Sequence, residues 1–256
     1  MTQKPPQRIS APAQTSKPAT FIFLHGLGDD ADGWTNIAEQ FHSAKKLPHL
    51  SWIFPNAPLN QEAMQTAWYT PTSFSPIPVG RSSATEENES EGFDEHAESE
   101  ILESVEYLCT LIDGEISRGV KPERIIIGGF SQGCAISLVA ALASRWQGRI
   151  GGMVGLSGYL PRGGKIREGR RGYVKGGKEG VEEVEEQKGM GMKTFLAHGT
   201  KDMLVPMRVF RDTKMRVEGT VGESMVESHE YEGLGHVTSG VEFRDMCLFL
   251  EKILPE

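Results

Sequence analysis

The stretch RIIIGGFSQGCAISLVAALAS, residues 124–144, joins an apolar run typical of a buried strand to a run of small and apolar residues typical of a helix. Ser131 lies at the junction, and residues 129–133 fit the pattern G-x-S-x-G. In that context a sharp turn lifts the serine hydroxyl clear of the backbone, and small neighbours let strand and helix approach closely. The stretch therefore predicts a strand–turn–helix unit with Ser131 as a nucleophile. A glycine-rich turn with an incidental serine is the alternative.

Strand and helix patterns alternate on both sides of this unit. The alternation predicts an α/β fold with a mainly parallel central sheet and helices on both faces, which explains strands that are nearly continuous in Ile, Leu, Val and Phe. The predicted strands are 20–25, 50–57, 125–130, 150–158, 194–199 and 225–233. The predicted helices are 34–45, a helix through 101–112 after a possible Asp94 cap, 132–146, 206–218, and a last helix capped by Thr238 or Ser239.

Length and composition predict one soluble globular domain. The chain has 256 residues, 38% apolar and 24% charged. We expect a flexible segment at 1–19 and a single domain at 20–256. Within the domain, the polar segments 79–93 and 162–193 cannot bury enough apolar area to offset their ordering entropy, so both are predicted as mobile surface loops. For the second segment, a partner-docking role is the alternative because it carries opposite charge blocks.

The charge and the apolar pattern exclude several classes of partner. A net charge of -8 gives no electrostatic reason to bind nucleic acid or an anionic membrane surface. No run approaches the roughly 20 apolar residues that span a bilayer, and the N-terminus has no apolar signal-peptide core. We therefore expect no stable membrane insertion and a cytoplasmic protein, with the nucleus as a second location. Three cysteines within helical patterns predict buried thiols, with no disulfide framework and no metal site.

A serine nucleophile needs a histidine base oriented by a carboxylate. Asp202 follows the strand TFLAHG, and His236 lies in GLGHVTS just before the last helix. Serine, acid and histidine then come in the order expected of this sheet type. The other histidines, His198 among them, are predicted to be structural or exposed. Asp212 and Asp245 fall within helical patterns, so Asp202 is the predicted acid.

The tetrahedral intermediate of such a reaction needs two backbone N–H donors for its negative oxygen. The residue after the nucleophile, Gln132, supplies one of them. The loop 25–29 follows the first long strand, and its glycines allow the N–H of Leu27 to point at the substrate oxygen. Leu27 and Gln132 are the predicted oxyanion hole.

The same loop also matches a dinucleotide fingerprint, G-x-G-x-x-A, at Gly26, Gly28 and Ala31. Asp29 and Asp30 argue against this alternative because they would place negative charge beside the pyrophosphate. A calcium loop fails because Gly28 would take its first ligand position. We expect no cofactor.

Four motifs together carry a family resemblance: LHGLGD (24–29), GGFSQG (128–133), HGTKD (198–202) followed by LVP, and GLGH (233–236). With these motifs in this order, the chain resembles the acyl-protein thioesterase and carboxylesterase family of α/β-hydrolases, also described as lysophospholipases, over most of residues 20–254. The resemblance implies a Ser131, Asp202 and His236 triad, an oxyanion hole from Leu27 and Gln132, no metal, and a hydrophobic channel for an acyl chain.

The chain departs from the family pattern at three places. Trp68-Tyr69 is followed by Thr70-Pro71 where the family carries aspartate, the insertion at 162–193 is longer than usual, and position 2 has no cysteine for a lipid anchor. The first departure concerns the substrate side and leaves the triad intact. The other two weaken the transfer of membrane-bound deacylation to this chain.

These observations predict a serine hydrolase that cleaves acyl thioesters or esters, of the depalmitoylating acyl-protein thioesterase type, acting on an acylated protein or a small acyl ester. The alternatives are a general short-chain carboxylesterase or lysophospholipase, and a non-catalytic ligand-binding module on the same fold. Apolar residues in loops after strand ends are predicted to be exposed and to bind the substrate. They are Trp68, Tyr69, Phe74, Ile77, Leu204 and Val205.

Overall fold

Strands and helices alternate along the chain in the computed structural model, which describes residues 3–13, 16–71, 95–175 and 191–256. The strands are β1 (Gln7–Ile9), β2 (Ala19–Leu24), β3 (Leu50–Phe54), β4 (Leu59–Asn60), β5 (Gln65–Thr66), β6 (Ile125–Phe130), β7 (Gly152–Leu156), β8 (Lys193–Gly199) and β9 (Val226–Tyr231). The α-helices are α1 (Thr35–Ser43), α2 (Glu95–Ser117), α3 (Gln132–Ala143), α4 (Gly164–Lys175), α5 (Met207–Val221) and α6 (Gly240–Ile253). Short 3₁₀ helices cover Ala31–Gly33, Pro122–Arg124 and Glu223–Met225.

Seven strands form one sheet in the order β1-β3-β2-β6-β7-β8-β9, and β4 pairs with β5 in a separate hairpin. Within the large sheet β1 is antiparallel to β3, and every other neighbouring pair is parallel. The predicted fold class, a mainly parallel sheet with helices on both faces, is confirmed. In such a sheet the loops after the strands meet at one edge, which is where ligands bind in open α/β sheets.

Alternate residues of β2 enter two different apolar cores. Phe21 and Phe23 face a cluster that includes residues of α1 and α6. Ile22 and Leu24 face a second cluster that includes residues of α2 and α3. All four side chains are fully buried, and a buried side chain of this size contributes about 1.5–3 kcal/mol. Helices on both faces therefore account for the unbroken apolar sequence of the strand.

The N-terminal segment predicted as flexible contains strand β1, so that prediction is wrong for residues 7–9. Arg8 on this strand donates to Oε1 of the buried Glu115 at 2.7 Å, and Thr20 Oγ1 donates to the other oxygen at 2.9 Å. Burial alone would raise the pKa of Glu115, but the hydrogen bonds from Arg8 and Thr20 lower it below its usual value. A strand of three mostly polar residues is too short to show a periodic pattern in the sequence. Only its pairing with β3 at the edge of the sheet identifies it.

The segment 162–193 was predicted as a surface loop, and its first part is instead helix α4. Ile166 is buried in the core, and its backbone N–H donates to Glu98 Oε1 on α2 at 3.1 Å. At Gly169 a Cβ would lie 2.8 Å from the Ala143 carbonyl oxygen, so a glycine here lets α4 lie close against α3. Glycine content suggested a loop, whereas the structure uses one glycine for close helix packing. Residues 79–93 and 176–190 lie outside the described residues.

Helix α6 begins with a capping box, and Ser239 is its N-cap. Ser239 Oγ accepts the N–H of Glu242 at 3.2 Å, and Glu242 Oε2 accepts the N–H of Ser239 at 3.3 Å. Glu242 is fully buried, and its Oε1 has no hydrogen-bond partner among the described residues. Burial raises the pKa of Glu242 from 4.5 to about 7, although the Ser239 hydrogen bond opposes the shift. The helix that follows the His236 loop thus starts on a buried carboxyl group.

No helix in the described part of the chain combines the length and the apolar character needed to cross a membrane.

We predict that Glu242→Gln stabilises the protein increasingly as the pH rises. Between the unfolded value of 4.5 and the folded value of about 7, the folded state binds more protons at Glu242 than the unfolded state does. The wild-type free energy of unfolding therefore falls across this interval, and glutamine removes that loss while keeping a cap acceptor. Urea unfolding of both proteins at several pH values measures the difference. The exposed Glu232, changed to glutamine, is the control, and a pH-independent difference for Glu242→Gln would contradict the prediction.

Candidate functional site

Ser131 occupies a strained turn between β6 and α3, with φ 54° and ψ -117°. Its N–H donates to the Leu156 carbonyl on the neighbouring strand at 2.9 Å. A Cβ at Gly129 would lie 2.5 Å from the Leu24 carbonyl oxygen, and one at Gly133 would lie 2.2 Å from the same atom. Since real side chains do not approach so closely, both glycines of the G-x-S-x-G pattern are required by packing. The turn presents the serine side chain at the edge where the strands end.

The structure brings Ser131, His236 and Asp202 into one hydrogen-bonded line. His236 Nε2 lies 2.9 Å from Ser131 Oγ, and His236 Nδ1 lies 2.7 Å from Asp202 Oδ2. A carboxylate only accepts, so Nδ1 carries the hydrogen and the Nε2 of a neutral imidazole is free to accept from the serine hydroxyl. In the chain, His236 lies 105 positions after Ser131 and 34 positions after Asp202. This is the geometry that general-base activation of a serine requires.

Asp202 is buried and its other carboxylate oxygen is also used. Oδ1 accepts the backbone N–H groups of Leu204 at 2.9 Å and of Val205 at 2.8 Å. Burial alone would raise the pKa of Asp202, but the hydrogen bonds from His236 and Val205 lower it below its usual value. Asp202 is therefore a carboxylate at neutral pH, oriented by the turn that follows it.

His236 lies in the loop between β9 and α6 and packs against a pair of aromatic rings. The ring centroids of His236 and Phe130 are 4.8 Å apart, and those of Phe130 and Trp34 are 5.3 Å apart. The His236 side chain is 13% exposed, so solvent reaches the imidazole while the Asp202 carboxylate is covered. Phe130, the residue before Ser131, thus packs against the His236 ring that hydrogen-bonds to Ser131.

The predicted oxyanion loop lies beside Ser131. A Cβ at Gly26 would lie 3.4 Å from Ser131 Cβ, which places the start of the loop against the serine. Gly28 has φ 77°, and its N–H donates to the Thr66 carbonyl on the β4–β5 hairpin at 2.8 Å. Leu27 is half-buried between these two glycines. Gln132, the other predicted donor, is the first residue of α3, so its N–H has no acceptor within the helix.

His25 holds the start of this loop from inside the protein. Its Nδ1 lies 2.7 Å from the Gly26 carbonyl oxygen, and its Nε2 lies 3.0 Å from the N–H of Ala57. The first contact therefore uses an Nδ1–H donor and the second an Nε2 acceptor, which is the neutral Nδ1–H tautomer. Burial lowers the pKa of His25, so the neutral form persists at neutral pH.

Trp68 and Tyr69 were predicted to be exposed at the substrate side, and that prediction is wrong because both are buried. Trp68 Nε1 donates to the His25 carbonyl at 2.9 Å. The side chain of Gln132 accepts from the Trp68 N–H and donates to the Tyr69 carbonyl, both at 3.1 Å. The hydroxyl of Tyr69 pairs with that of Tyr159. Both aromatic residues therefore tie the loop after β2 to α3, a supporting role that apolarity alone did not reveal.

Among the other predicted substrate contacts, Val205 is also buried, contrary to expectation, while Leu204 is 46% exposed. Two further apolar side chains at this edge were not predicted: Met203 is 89% and Val237 57% exposed. They directly follow Asp202 and His236, and the two loops meet through the Lys201 N–H and Leu234 carbonyl at 2.8 Å. Their positions in the sequence, directly after Asp202 and His236, could have identified them as residues at the site. Phe74 and Ile77 lie outside the described residues.

The polar groups of the loop 26–31 that a dinucleotide would contact form hydrogen bonds within the protein instead. Asp29 accepts from the Trp34 indole N–H at 2.7 Å and from the Asp30 N–H at 2.8 Å. The N–H of Ala31, at the helical turn where a phosphate would bind, donates to Asn56 Oδ1 at 2.9 Å. These contacts hold the acidic loop in place through Trp34 and Asn56 and occupy the polar groups that a pyrophosphate would need. The described residues contain no group of three or more His, Cys, Asp or Glu side chains arranged to hold a metal ion.

Cys134 lies three residues after Ser131 and points into the core. A Cβ at Gly158 would lie 2.3 Å from Cys134 Cβ, and one at Gly155 would lie 2.7 Å from its Sγ. Burial raises the pKa of the Cys134 thiol well above its usual value. Because the thiolate is the reactive form, Cys134 does not compete with Ser131 as a nucleophile.

Comparison with known proteins identifies related chains and folds. The family described as Phospholipase/Carboxylesterase matches residues 6–175. Acyl-protein thioesterase 1 of Yarrowia lipolytica is 33% identical over 248 residues, 97% of each chain. Acyl-protein thioesterase 1 of Saccharomyces cerevisiae is 30% identical over 256 residues, 96% of this chain and 97% of the relative.

Two solved structures from plants share the fold. Arabidopsis thaliana SOBER1 is 27% identical with a TM-score of 0.70, covering 93% of this chain and 99% of that one. Zea mays acyl-protein thioesterase 2 has a TM-score of 0.69 and covers 97% of this chain and 98% of its own, but at 21% identity it supports the fold alone.

The backbone strain at Ser131 leads to a stability prediction. We expect Ser131→Gly to be more stable than Ser131→Ala by about 1 kcal/mol, because glycine relieves a strain of roughly 1–3 kcal/mol against its own entropy cost of roughly 0.5–1 kcal/mol. Chemical denaturation of the two variants measures this difference. Ser137, buried in the middle of α3, is the matched control, since there alanine should be the more stable replacement. Equal stability of the two Ser131 variants would show that the turn is unstrained.

Proposed function

The chain belongs to the phospholipase and carboxylesterase family of α/β-hydrolases, and we propose that it hydrolyses acyl thioesters or esters with Ser131 as the nucleophile. The observation that carries this proposal is the hydrogen-bonded line from Ser131 through His236 to Asp202, with contacts of 2.9 and 2.7 Å. Membership of the family makes the chain a hydrolase of the serine esterase class. The identity of the three acting residues and of the substrate is what we propose here.

In the first half of the reaction, Ser131 Oγ attacks the acyl carbonyl carbon while His236 Nε2 takes the hydroxyl proton. Asp202 stabilises the imidazolium that forms, through the contact to Nδ1. The tetrahedral intermediate then collapses, the carbon–sulfur or carbon–oxygen bond breaks, and Nε2 returns the proton to the leaving thiolate or alkoxide. The products of this half are a thiol or alcohol and an acyl-serine.

In the second half, water replaces the thiol or alcohol. His236 Nε2 takes a proton from the water as its oxygen bonds to the acyl carbon, and returns it to Ser131 Oγ when the acyl-serine bond breaks. In both halves the N–H groups of Leu27 and Gln132 stabilise the negative oxygen. Removing one such donor typically costs about 10²–10³ in rate. His25 supports this hole by holding the Gly26 carbonyl of the oxyanion loop, and the Gln132 side chain supports it by tying the start of α3 to the Trp68 backbone.

The substrate class follows from the apolar side chains at the mouth of the site. Met203, Leu204 and Val237 expose apolar surface next to Asp202 and His236, and Leu27 lies between the two glycines of the oxyanion loop. Such an exposed apolar surface is the kind that an acyl chain covers. The relatives are named acyl-protein thioesterases, which supports an acylated protein as substrate and removal of a palmitoyl-type chain as the activity.

A general carboxylesterase or lysophospholipase activity is the second candidate. It is favoured by Thr70, which follows Tyr69 at the position where acyl-protein thioesterases carry an aspartate. Here the Thr70 hydroxyl donates to Glu100 Oε1 at 3.0 Å and accepts from Asn60 Nδ2 at 2.8 Å. Rates measured across acyl chain lengths, on matched thioesters and oxygen esters, separate the two candidates.

We predict that Ser131→Ala abolishes turnover without unfolding the protein. Loss of the nucleophile from a triad lowers the rate by ~10⁶-fold in a well-characterised protease, and alanine removes only the hydroxyl. Hydrolysis of a chromogenic acyl thioester and labelling by a fluorophosphonate probe are both measured. Ser137→Ala, which removes a buried hydroxyl from α3, is the control and should keep activity and labelling. Substantial turnover by well-folded Ser131→Ala protein would exclude Ser131 as the nucleophile.

We further predict that replacing Met203 and Leu204 together by serine reduces the preference for long acyl chains. Each methylene that the mouth of the site buries contributes up to ~0.8 kcal/mol, or about fourfold in kcat/KM. The dependence of kcat/KM on chain length should flatten, while the rate on an acetyl ester stays close to that of the wild type. Met215→Ser, on the exposed surface of α5, is the control. An unchanged chain-length dependence would show that the acyl chain does not cross this surface.

A further inference from the structure

A second histidine lies behind the acid of the proposed triad. His198 is on β8, four residues before Asp202, and its side chain is fully buried. Its ring stacks on Phe210 of α5, with centroids 4.6 Å apart and planes 16° from parallel. Substrate cannot reach this ring, so any effect on the reaction must act through its neighbours.

One ring nitrogen of His198 makes a well-defined contact. Nε2 lies 2.7 Å from the Val205 carbonyl oxygen and 3.5 Å from Asp202 Oδ2. A carbonyl only accepts, so Nε2 carries a hydrogen and donates it. Burial lowers the pKa of His198, although the Val205 contact and the nearby Asp202 and Glu230 oppose the shift and His236 reinforces it. The group is therefore a neutral donor at neutral pH.

The backbone of Val205 links His198 to the Asp202 carboxylate. Its N–H donates to Asp202 Oδ1 at 2.8 Å, and its carbonyl accepts from His198. The N–H and the carbonyl of Val205 thus both hold the turn 202–205 in place. Val205 itself is fully buried. A turn fixed in this way leaves Asp202 Oδ2 directed at His236 Nδ1, 2.7 Å away.

We propose that His198 is a positioning residue for Asp202: its Nε2–H anchors the Val205 carbonyl and thereby orients the carboxylate that holds His236. The proposal rests on the proposed function, since it assigns His198 a part in that reaction. A histidine that merely filled space in the core would affect stability and leave the turnover of folded protein unchanged. The experiment has to separate these two roles.

The first comparison uses two variants that differ in the donor. His198→Gln places an amide N–H near the position of Nε2, whereas His198→Leu fills the space without a donor. For His198→Leu we expect kcat to fall about 10- to 100-fold with KM changed little, as for a misplacement of about 1 Å in a catalytic group. His198→Gln should recover most of the loss. Thermal unfolding of both variants, measured beside the kinetics, reports the folded fraction.

The second comparison is a double-mutant cycle with Asp202→Asn. If His198 acts through Asp202, adding His198→Leu to Asp202→Asn lowers kcat no further, so the two losses are not additive. Should His198→Leu be unstable, His198→Asn takes its place, because the shorter amide does not reach the Nε2 position. Phe210→Leu is the control that removes the ring stacking and leaves the hydrogen bond.

Three results would overturn this proposal and leave the proposed function standing. They are wild-type kcat in folded His198→Leu, additive losses in the cycle, and equal losses in the glutamine and leucine variants. An inactive Asp202→Asn beside a fully active His198→Leu overturns this proposal alone. Full activity of Asp202→Asn overturns the proposed function and this inference with it.

Discussion

The close approach of β2 to the start of α3 is the constraint on which the rest of the site depends. The Leu24 carbonyl oxygen lies where side chains on Gly129 and Gly133 would have to be. Ser131 is held between those two glycines in a conformation that few residues adopt. The next residues after Leu24 form the predicted oxyanion loop. One packing contact therefore places the proposed nucleophile beside the loop that carries a proposed N–H donor.

Buried polar side chains then fix the loops around this contact. Gln132 ties the 68–69 segment to α3, and His25 ties the Gly26 carbonyl to the loop after β3. Asp202 uses both oxygens, one for its own turn and one for His236. In a low-dielectric interior such bonds are strong, and an unpaired partner is costly. The site is thus held by hydrogen bonds where charge would develop in the proposed reaction, and it is apolar where the acyl chain of the proposed substrate would lie.

The division between rigid support and apolar mouth also explains which predictions were wrong. Trp68, Tyr69 and Val205 have the composition of a ligand surface, yet the structure uses them as supports in the core. Leu204 and Met203, in the same loop as Val205, face outward instead. Adjacent residues of a turn can point to opposite sides, so apolarity and loop position could not separate a support from a contact.

The sequence by itself determined the fold class, the order of the main strands and helices, and the three residues that hydrogen-bond in line. Periodicity reports burial, and G-x-S-x-G with a later aspartate and histidine at strand ends reports a shared sheet edge. Only the tertiary structure decided that residues 7–9 join the sheet, that Gly164–Lys175 is a helix, and that His198 stands behind Asp202. The third feature depends on how the turn 202–205 folds back on β8, since His198 and Val205 are only seven residues apart. The first two depend on partners distant in the chain: β3 for the strand at residues 7–9 and Glu98 for the helix Gly164–Lys175. A local pattern cannot encode such contacts, because their free energy arises only when the distant partner is in place.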